Sequence, residues 1–190
     1  MSLKLHKSKS LDKLVIGCIK QERKAQHALY ERLAPLMHSV CLRYVKDTAE
    51  AEDVLLKGFM KVFQNIKKFR QEGSFEGWVR RIIVNEALMY IRRNKTMYLE
   101  VDIDEAQEAK SINVDHLQEQ DLMRLVQSLP LGYSTVFNLY VIEGYAHHEI
   151  AEMLNISEGT SKSQLSRAKH LLRQQILEQE KSMNDKNQLG

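Results

Sequence analysis

The sequence predicts an all-α chain: two small helical domains joined by a flexible acidic linker, with a helix-turn-helix in the C-terminal domain. Three observations predict it. Apolar residues recur at three- and four-residue spacing through most of the chain, and no strand-like alternation occurs. Residues 96–114 lose that periodicity and turn acidic. Residues 144–173 then read as a short helix, a three-residue break and a second helix. The boundaries fall at 10–95 for the first domain, 96–114 for the linker and 115–178 for the second domain. A polar tail, 179–190, is expected to fray.

Taken in order, Ser10 can cap a first helix carrying Leu11, Leu14, Val15, Cys18 and Ile19 inward. A second spans Ala25 to Val45 with Leu29, Leu33, Leu36, Met37, Val40, Cys41 and Tyr44, and Pro35 is expected to interrupt and bend it. Asp47 or Thr48 caps a third, with Val54, Leu55, Phe59, Val62, Phe63 and Ile66 inward. The loop Arg70-Gln71-Glu72-Gly73 ends it. Ser74 caps a fourth through Trp78, Ile82, Ile83, Ala87, Leu88 and Ile91, closing on Arg92-Arg93. Beyond the linker come a helix with Leu117, Leu122, Leu125, Val126 and Leu129, ending at Pro130, and another with Val136, Phe137, Tyr140 and Val141.

The most informative stretch is GYAHHEIAEMLNISEGTSKSQLSRAKHLLR, residues 144–173. Ile150, Ala151 and Leu154 form the apolar stripe of a first helix, and Asn155-Ile156-Ser157 breaks it. The second helix turns Leu165, Ala168, Leu171 and Leu172 inward, and its other face is assigned Lys162, Ser163, Gln164, Ser166, Arg167 and Lys169. Lys, Arg and Gln suit phosphates and the major-groove edges of guanine and adenine. On that basis Lys162, Ser163, Gln164 and Arg167 are candidates for base edges, with Thr160 and Lys169 on phosphates. A solvated amphipathic helix in a bundle is the plain alternative.

Composition sets the outer bounds. At 190 residues and 43% hydrophobic the chain can bury cores, and its net charge of +3 is mild. The distribution is more telling: ten basic against three acidic residues lie between Lys57 and Lys95, whereas eight acidic residues against Lys110 lie between Glu100 and Asp121. Such blocks suit two polyanion-binding surfaces with an acidic connector. Cys18 and Cys41 read as buried thiols, not a disulfide or metal site. No signal-like opening and no apolar run of transmembrane length is present, so a cytoplasmic protein is expected. His148-Glu149 begins like a zinc motif, but Glu152 holds the second histidine's place, and His147 and His148 read as polar surface. No catalytic residues, no metal and no cofactor are expected.

Three strings in order, DTAEAEDVLLKGFMKVFQNIKKF, SFEGWVRRIIVNEALMYIRR and the helix-turn-helix, carry a family likeness. Residues 29–95 resemble the promoter-melting domain, and 117–177 the C-terminal domain, of extracytoplasmic-function (ECF) sigma factors of bacterial RNA polymerase. The resemblance implies a factor that directs polymerase to minus-35 and minus-10 promoter elements and promotes melting. It implies polymerase docking by Asp53, Leu56, Phe59, Met60 and Phe63 on the clamp helices of the largest subunit, with the flap of the second-largest subunit as a further contact. Phe69, Arg70, Ser74 and Phe75 would form the loop receiving a flipped minus-10 base. Trp78, Arg81, Asn85, Arg92 and Arg93 would hold the single strand and upstream duplex; Trp78 and Phe75 also fit core positions. Promoter DNA and core polymerase are the implied partners, and a cognate anti-sigma factor is a partner the family allows.

The chain departs from the family pattern at Leu56-Lys57, Ala146, Asn155 and Ser161. Leu56-Lys57 stands in place of a polar pair, Ala146 where serine usually caps, and Asn155 in place of a turn glycine. Ser161 replaces an aliphatic residue, so its hydroxyl needs a backbone partner. The acidic linker fits a strand lying in the RNA-exit path as well as a plain spacer. Two other classes compete: a stand-alone helix-turn-helix regulator with a helical sensor or dimerisation domain, and an adaptor with no DNA role. The basic Lys57–Lys95 block with Trp78 argues against the sensor, which needs no phosphate-binding face.

Overall fold

A computed structural model describes residues 10–93 and 119–188, with side chains described over 10–93 and 122–178. The linker 96–114 and Leu117 lie outside the described residues. No strand occurs among them, and they cluster into two units that part at Tyr90 and Ile91.

The first unit holds α1 (Leu11–Ile19), α2 (Arg23–Tyr44), α3 (Thr48–Asn65) with a closing 3-10 turn (Ile66–Lys68), and all but the last three residues of α4 (Phe75–Arg93). Asp47 caps α3 by accepting the Glu50 N–H at 2.9 Å. Ser10 sits at the head of α1 but makes no side-chain cap bond. Pro35 does not interrupt α2, which runs on for 22 residues. The core is built from Leu29, Leu33, Met37, Val40 and Cys41 of α2, Val54, Leu55, Phe59 and Val62 of α3, and Val79, Ile83, Val84, Ala87 and Leu88 of α4. Leu36 and Ile19, expected inward, are 49% and 38% exposed. A periodic pattern marks an apolar stripe wider than the neighbouring helices can cover. Gly58 brings α3 close against α4: a Cβ there would stand 2.3 Å from Ile83 Cδ1.

The second unit holds α5 (Glu119–Ser128), α6 (Leu131–Phe137), α7 (His147–Leu154) and α8 (Glu158–Gln188). Helix α6 passes into a π turn, Asn138–Ile142, closed by Glu143 N–H on the Asn138 carbonyl at 2.9 Å. One extra residue in that ring rotates the faces of the turn relative to those of α6. Asn138 and Leu139 are therefore buried, and Tyr140 and Val141, expected inward, are 39% and 50% exposed. Helix α8 does not end at 178: its backbone continues to Gln188, so the tail expected to fray is helical there. Leu165, Ala168, Leu172 and Ile176 anchor α8 in the core, and Leu171 is half-buried.

Candidate nucleic-acid interfaces

The turn between α7 and α8 is fixed by three local devices. Asn155 takes the left-handed conformation at φ 55°, which asparagine tolerates better than most residues, and Ile156 N–H returns to the Ala151 carbonyl at 3.1 Å. Ser157 Oγ accepts the Thr160 N–H at 2.9 Å and pairs with the Thr160 hydroxyl at 2.8 Å, capping α8. At the head of α7, Ala146 has no capping oxygen, and the Glu149 carboxylate compensates by accepting the Ala146 N–H at 2.8 Å. These contacts fix the start of α7 and the turn that leads into α8.

The outward face of α8 is rotated from the one expected from the sequence. Gln164, assigned to a base edge, is 1% exposed. Its amide lies against Gly132, with Nε2 3.4 Å from where a Cβ would stand, and its Oε1 is buried without a hydrogen-bond partner. Gln164 lies between Ser161 and Ala168 on the buried stripe, turned away from the outward face of α8. Lys162 and Lys169 are exposed, and Ser163, Ser166, Arg167 and Thr160 are half-buried. Arg173, absent from the expected set, joins Lys162, Ser166 and Lys169 at spacings of four, three and four; the helical period applied to charges instead of apolar residues finds it. Arg167 reaches back to the Tyr133 hydroxyl at 3.4 Å. Lys162 pairs with exposed Glu158 at 2.6 Å, a contact of the surface kind that a phosphate can displace.

Ser161 finds a side-chain partner, not a backbone one: its Oγ lies 2.9 Å from His147 Nδ1. His147 also stacks on Tyr140 at 4.5 Å, so it is a packed junction between the motif helices and not polar surface; His148 is exposed. Burial holds the His147 pKa below its ordinary 6.5, with Lys162 and Lys169 adding to the shift and Glu158 opposing it. The unfolded chain therefore takes up that proton more readily. The His147 contribution to stability is complete above pH 6.5 and is lost as pH falls below it. Thermal unfolding is expected to show a midpoint that drops on acidification through this range, with a shallower drop in a His147→Gln variant; identical pH profiles would remove the assignment.

In the first unit the loop before α4 and the start of that helix form an aromatic shelf. Ser74 Oγ accepts the Gly77 N–H at 3.0 Å and starts the helix. Gln71 at φ 61° and Gly73 at φ 112° turn the loop so that Phe69 folds back over α4. Phe69 stands 5.2 Å from Phe75 and 5.6 Å from Trp78, and Phe75 stands 5.6 Å from Trp78. Phe75 is 6% exposed, so it supports the shelf from below and is corrected from a base-contacting to a packing position. Phe69 and Trp78 are half-buried, and Arg70, Ser74, Arg81, Asn85, Arg92 and Arg93 are exposed. A recess of about 400 Å³ opens between Phe69, Arg70, Ser74, Trp78 and Arg81. A second, of about 310 Å³, shares Trp78 and includes Lys61, Asn65, Asn85 and Glu86. Aromatic rings edged by arginines offer a melted strand both stacking and phosphate pairing. Lys61, Asn65 and Glu86 carry no signal in the sequence, where they look like ordinary polar positions of amphipathic helices.

On the outer side of α3, Leu56 is 51% and Met60 60% exposed, one helical turn apart, beside exposed Asp53. Phe63 is half-buried. Phe59 is 2% exposed and packs edge-on to Tyr30 at 4.8 Å, so it belongs to the core and not to a docking face.

Two family models match in the same order as these units: Sigma-70 region 2 over residues 29–96, and Sigma-70, region 4, over residues 119–172. The ECF RNA polymerase sigma-E factor of Haemophilus influenzae is 28% identical over 181 residues, spanning 87% of this chain and 95% of that protein. The ECF RNA polymerase sigma factor SigW of Bacillus subtilis is 27% identical over 180 residues, spanning 83% and 94%. The RNA polymerase sigma factor SigV of the same organism is 26% identical over 145 residues, spanning 76% and 87%. With both regions matched in order and the relatives matched along nearly their whole length, the chain belongs to the sigma-70 family, as a sigma factor of the extracytoplasmic-function type.

Proposed function

We propose that this chain directs bacterial RNA polymerase to its promoters through two DNA-facing surfaces. The observation that carries the reading is the Phe69–Trp78 shelf with Arg81 and Asn85 in one unit, together with the Lys162–Lys169–Arg173 stripe in the other. The stripe enters the major groove of the minus-35 element. The shelf holds the melted minus-10 strand, which offers its base faces only after the duplex parts. Arg92 and Arg93 meet the upstream duplex. Leu56 and Met60, with Asp53, dock on core polymerase. The protein performs no chemistry of its own and works in the cytoplasm, where its polymerase is. No described helix is long and apolar enough to cross a membrane. The stand-alone regulator is not favoured, because a sensor domain has no use for an aromatic shelf edged by arginines.

Docking is tested directly. Burying a large apolar side chain is worth about 1.5–3 kcal/mol, so a Leu56→Ser/Met60→Ser variant is expected to weaken core-polymerase binding by well over tenfold. Both residues are exposed, so the fold is expected to persist. Asp53→Lys is expected to weaken the complex as well. Unchanged co-elution of these folded variants with core enzyme would move the dock elsewhere.

A further inference from the structure

We propose that Glu86 is a positioning residue of the melting site: it fixes the Lys61 ammonium at the second recess, where Lys61 reads a base taken up beside Trp78. This rests on the reading of α4 as the single-strand face.

Glu86 is 8% exposed, and a carboxylate so placed requires a cationic partner. Lys61 supplies it, forming an ion pair from α3 to α4. The same Nζ lies 3.5 Å from Met89 Sδ. A lysine on its own sweeps a wide volume on a four-carbon stem; here its head is pinned between two α4 side chains. The Lys61 side chain nevertheless remains 43% exposed. Of its three donors, one serves Glu86 and another meets only a weak sulfur acceptor, so donor capacity is left for a ligand. The recess holds Asn65 and Asn85 as further polar groups, and Trp78 as an aromatic one. Asn65 Nδ2 is engaged with the Lys61 carbonyl at 2.9 Å, which steadies that side of the recess.

The sign of the charges selects the ligand. A bare lysine beside an aromatic ring would take a phosphate as readily as a base. A carboxylate paired to that lysine repels phosphate and cancels most of the lysine's long-range pull. What remains attractive is a neutral group with a hydrogen-bonding edge and a π-face, which is a nucleobase. Nor is the pair needed to hold α3 on α4. Gly58 and Ile83 already bring the helices into close contact, and ion pairs of this kind are commonly replaceable by apolar residues without loss of stability.

The test is selection of open complexes from a promoter library by reconstituted holoenzyme, comparing wild type, Glu86→Gln, Lys61→Met and the double variant. Glu86→Gln is expected to reduce preference at a single minus-10 position about tenfold, the size of one lost base-edge contact. Lys61→Met is expected to affect the same position, and the double variant to lose no more than either single one. Preferences at minus-35 are expected to be unchanged, and Glu86→Asp to retain preference at the affected position. Lys61→Met leaves the Glu86 carboxylate buried without its cation, so the double variant, which removes both charges, remains informative if either single one unfolds. If folded variants keep the wild-type base preference, or lose activity equally on every promoter, the pair merely joins two helices and the proposal fails. A wild-type holoenzyme with no base preference anywhere in the melted segment would overturn the reading of α4 itself.

Discussion

Trp78→Ala is expected to slow open-complex formation by tenfold or more while leaving closed-complex binding nearly unchanged. Loss of one base–aromatic contact costs about 1–3 kcal/mol, and that contact exists only once the strands have parted. Trp78 borders both recesses, so its removal also strips a wall from each. Because it touches Phe69 and Phe75, alanine could loosen the shelf as well. Asn85→Ala separates the two effects: Asn85 is exposed and its loss leaves the aromatic cluster intact. Permanganate reactivity of the minus-10 thymines reads the opening. Wild-type opening by both folded variants would return Trp78 to a packing role.

Joint replacement of Lys162, Lys169 and Arg173 by alanine is expected to weaken binding to every promoter and, through Lys162, to relax the choice at one minus-35 base pair. It is also expected to flatten the dependence of log K on log salt by about 1.8, since Lys169 and Arg173 would each neutralise a phosphate and each contributes about 0.9 to the slope. Gln164 is predicted to behave in the opposite way. Its oxygen is buried and unpaired, so Gln164→Met, of similar size and without that oxygen, is expected to raise the unfolding midpoint and leave the promoter logo untouched. A logo that changed with Gln164→Met while ignoring the triple variant would put Gln164 on the groove-facing side of α8.

The legible parts of the fold are those that a one-dimensional period can encode. The helices, the Ser74 and Asp47 caps, the Asn155 turn and the inward set of α8 are readable because each rests on local spacing. Gln164 misleads because a polar residue beside Lys162 and Arg167 suggests the outer face, whereas its angular position puts it on the buried one. Phe59 and Phe75 mislead for a related reason: an aromatic at a functional spacing can equally be the one that carries the fold. The π turn at Asn138–Ile142 is invisible, because an added residue in one helical ring leaves no mark in composition and inverts the faces of Tyr140 and Val141. The His147–Ser161 contact and the Lys61–Glu86 pair join residues 14 and 25 positions apart, beyond the reach of any helical period.

Run-off transcription on genomic fragments, with core RNA polymerase and this protein alone, separates an initiation factor from a stand-alone regulator. Discrete transcripts that require both components and disappear in the Leu56→Ser/Met60→Ser variant are expected. Sequence-specific binding of the protein by itself as a dimer on a palindrome, with no transcript from the combined reaction, would contradict the initiation-factor reading.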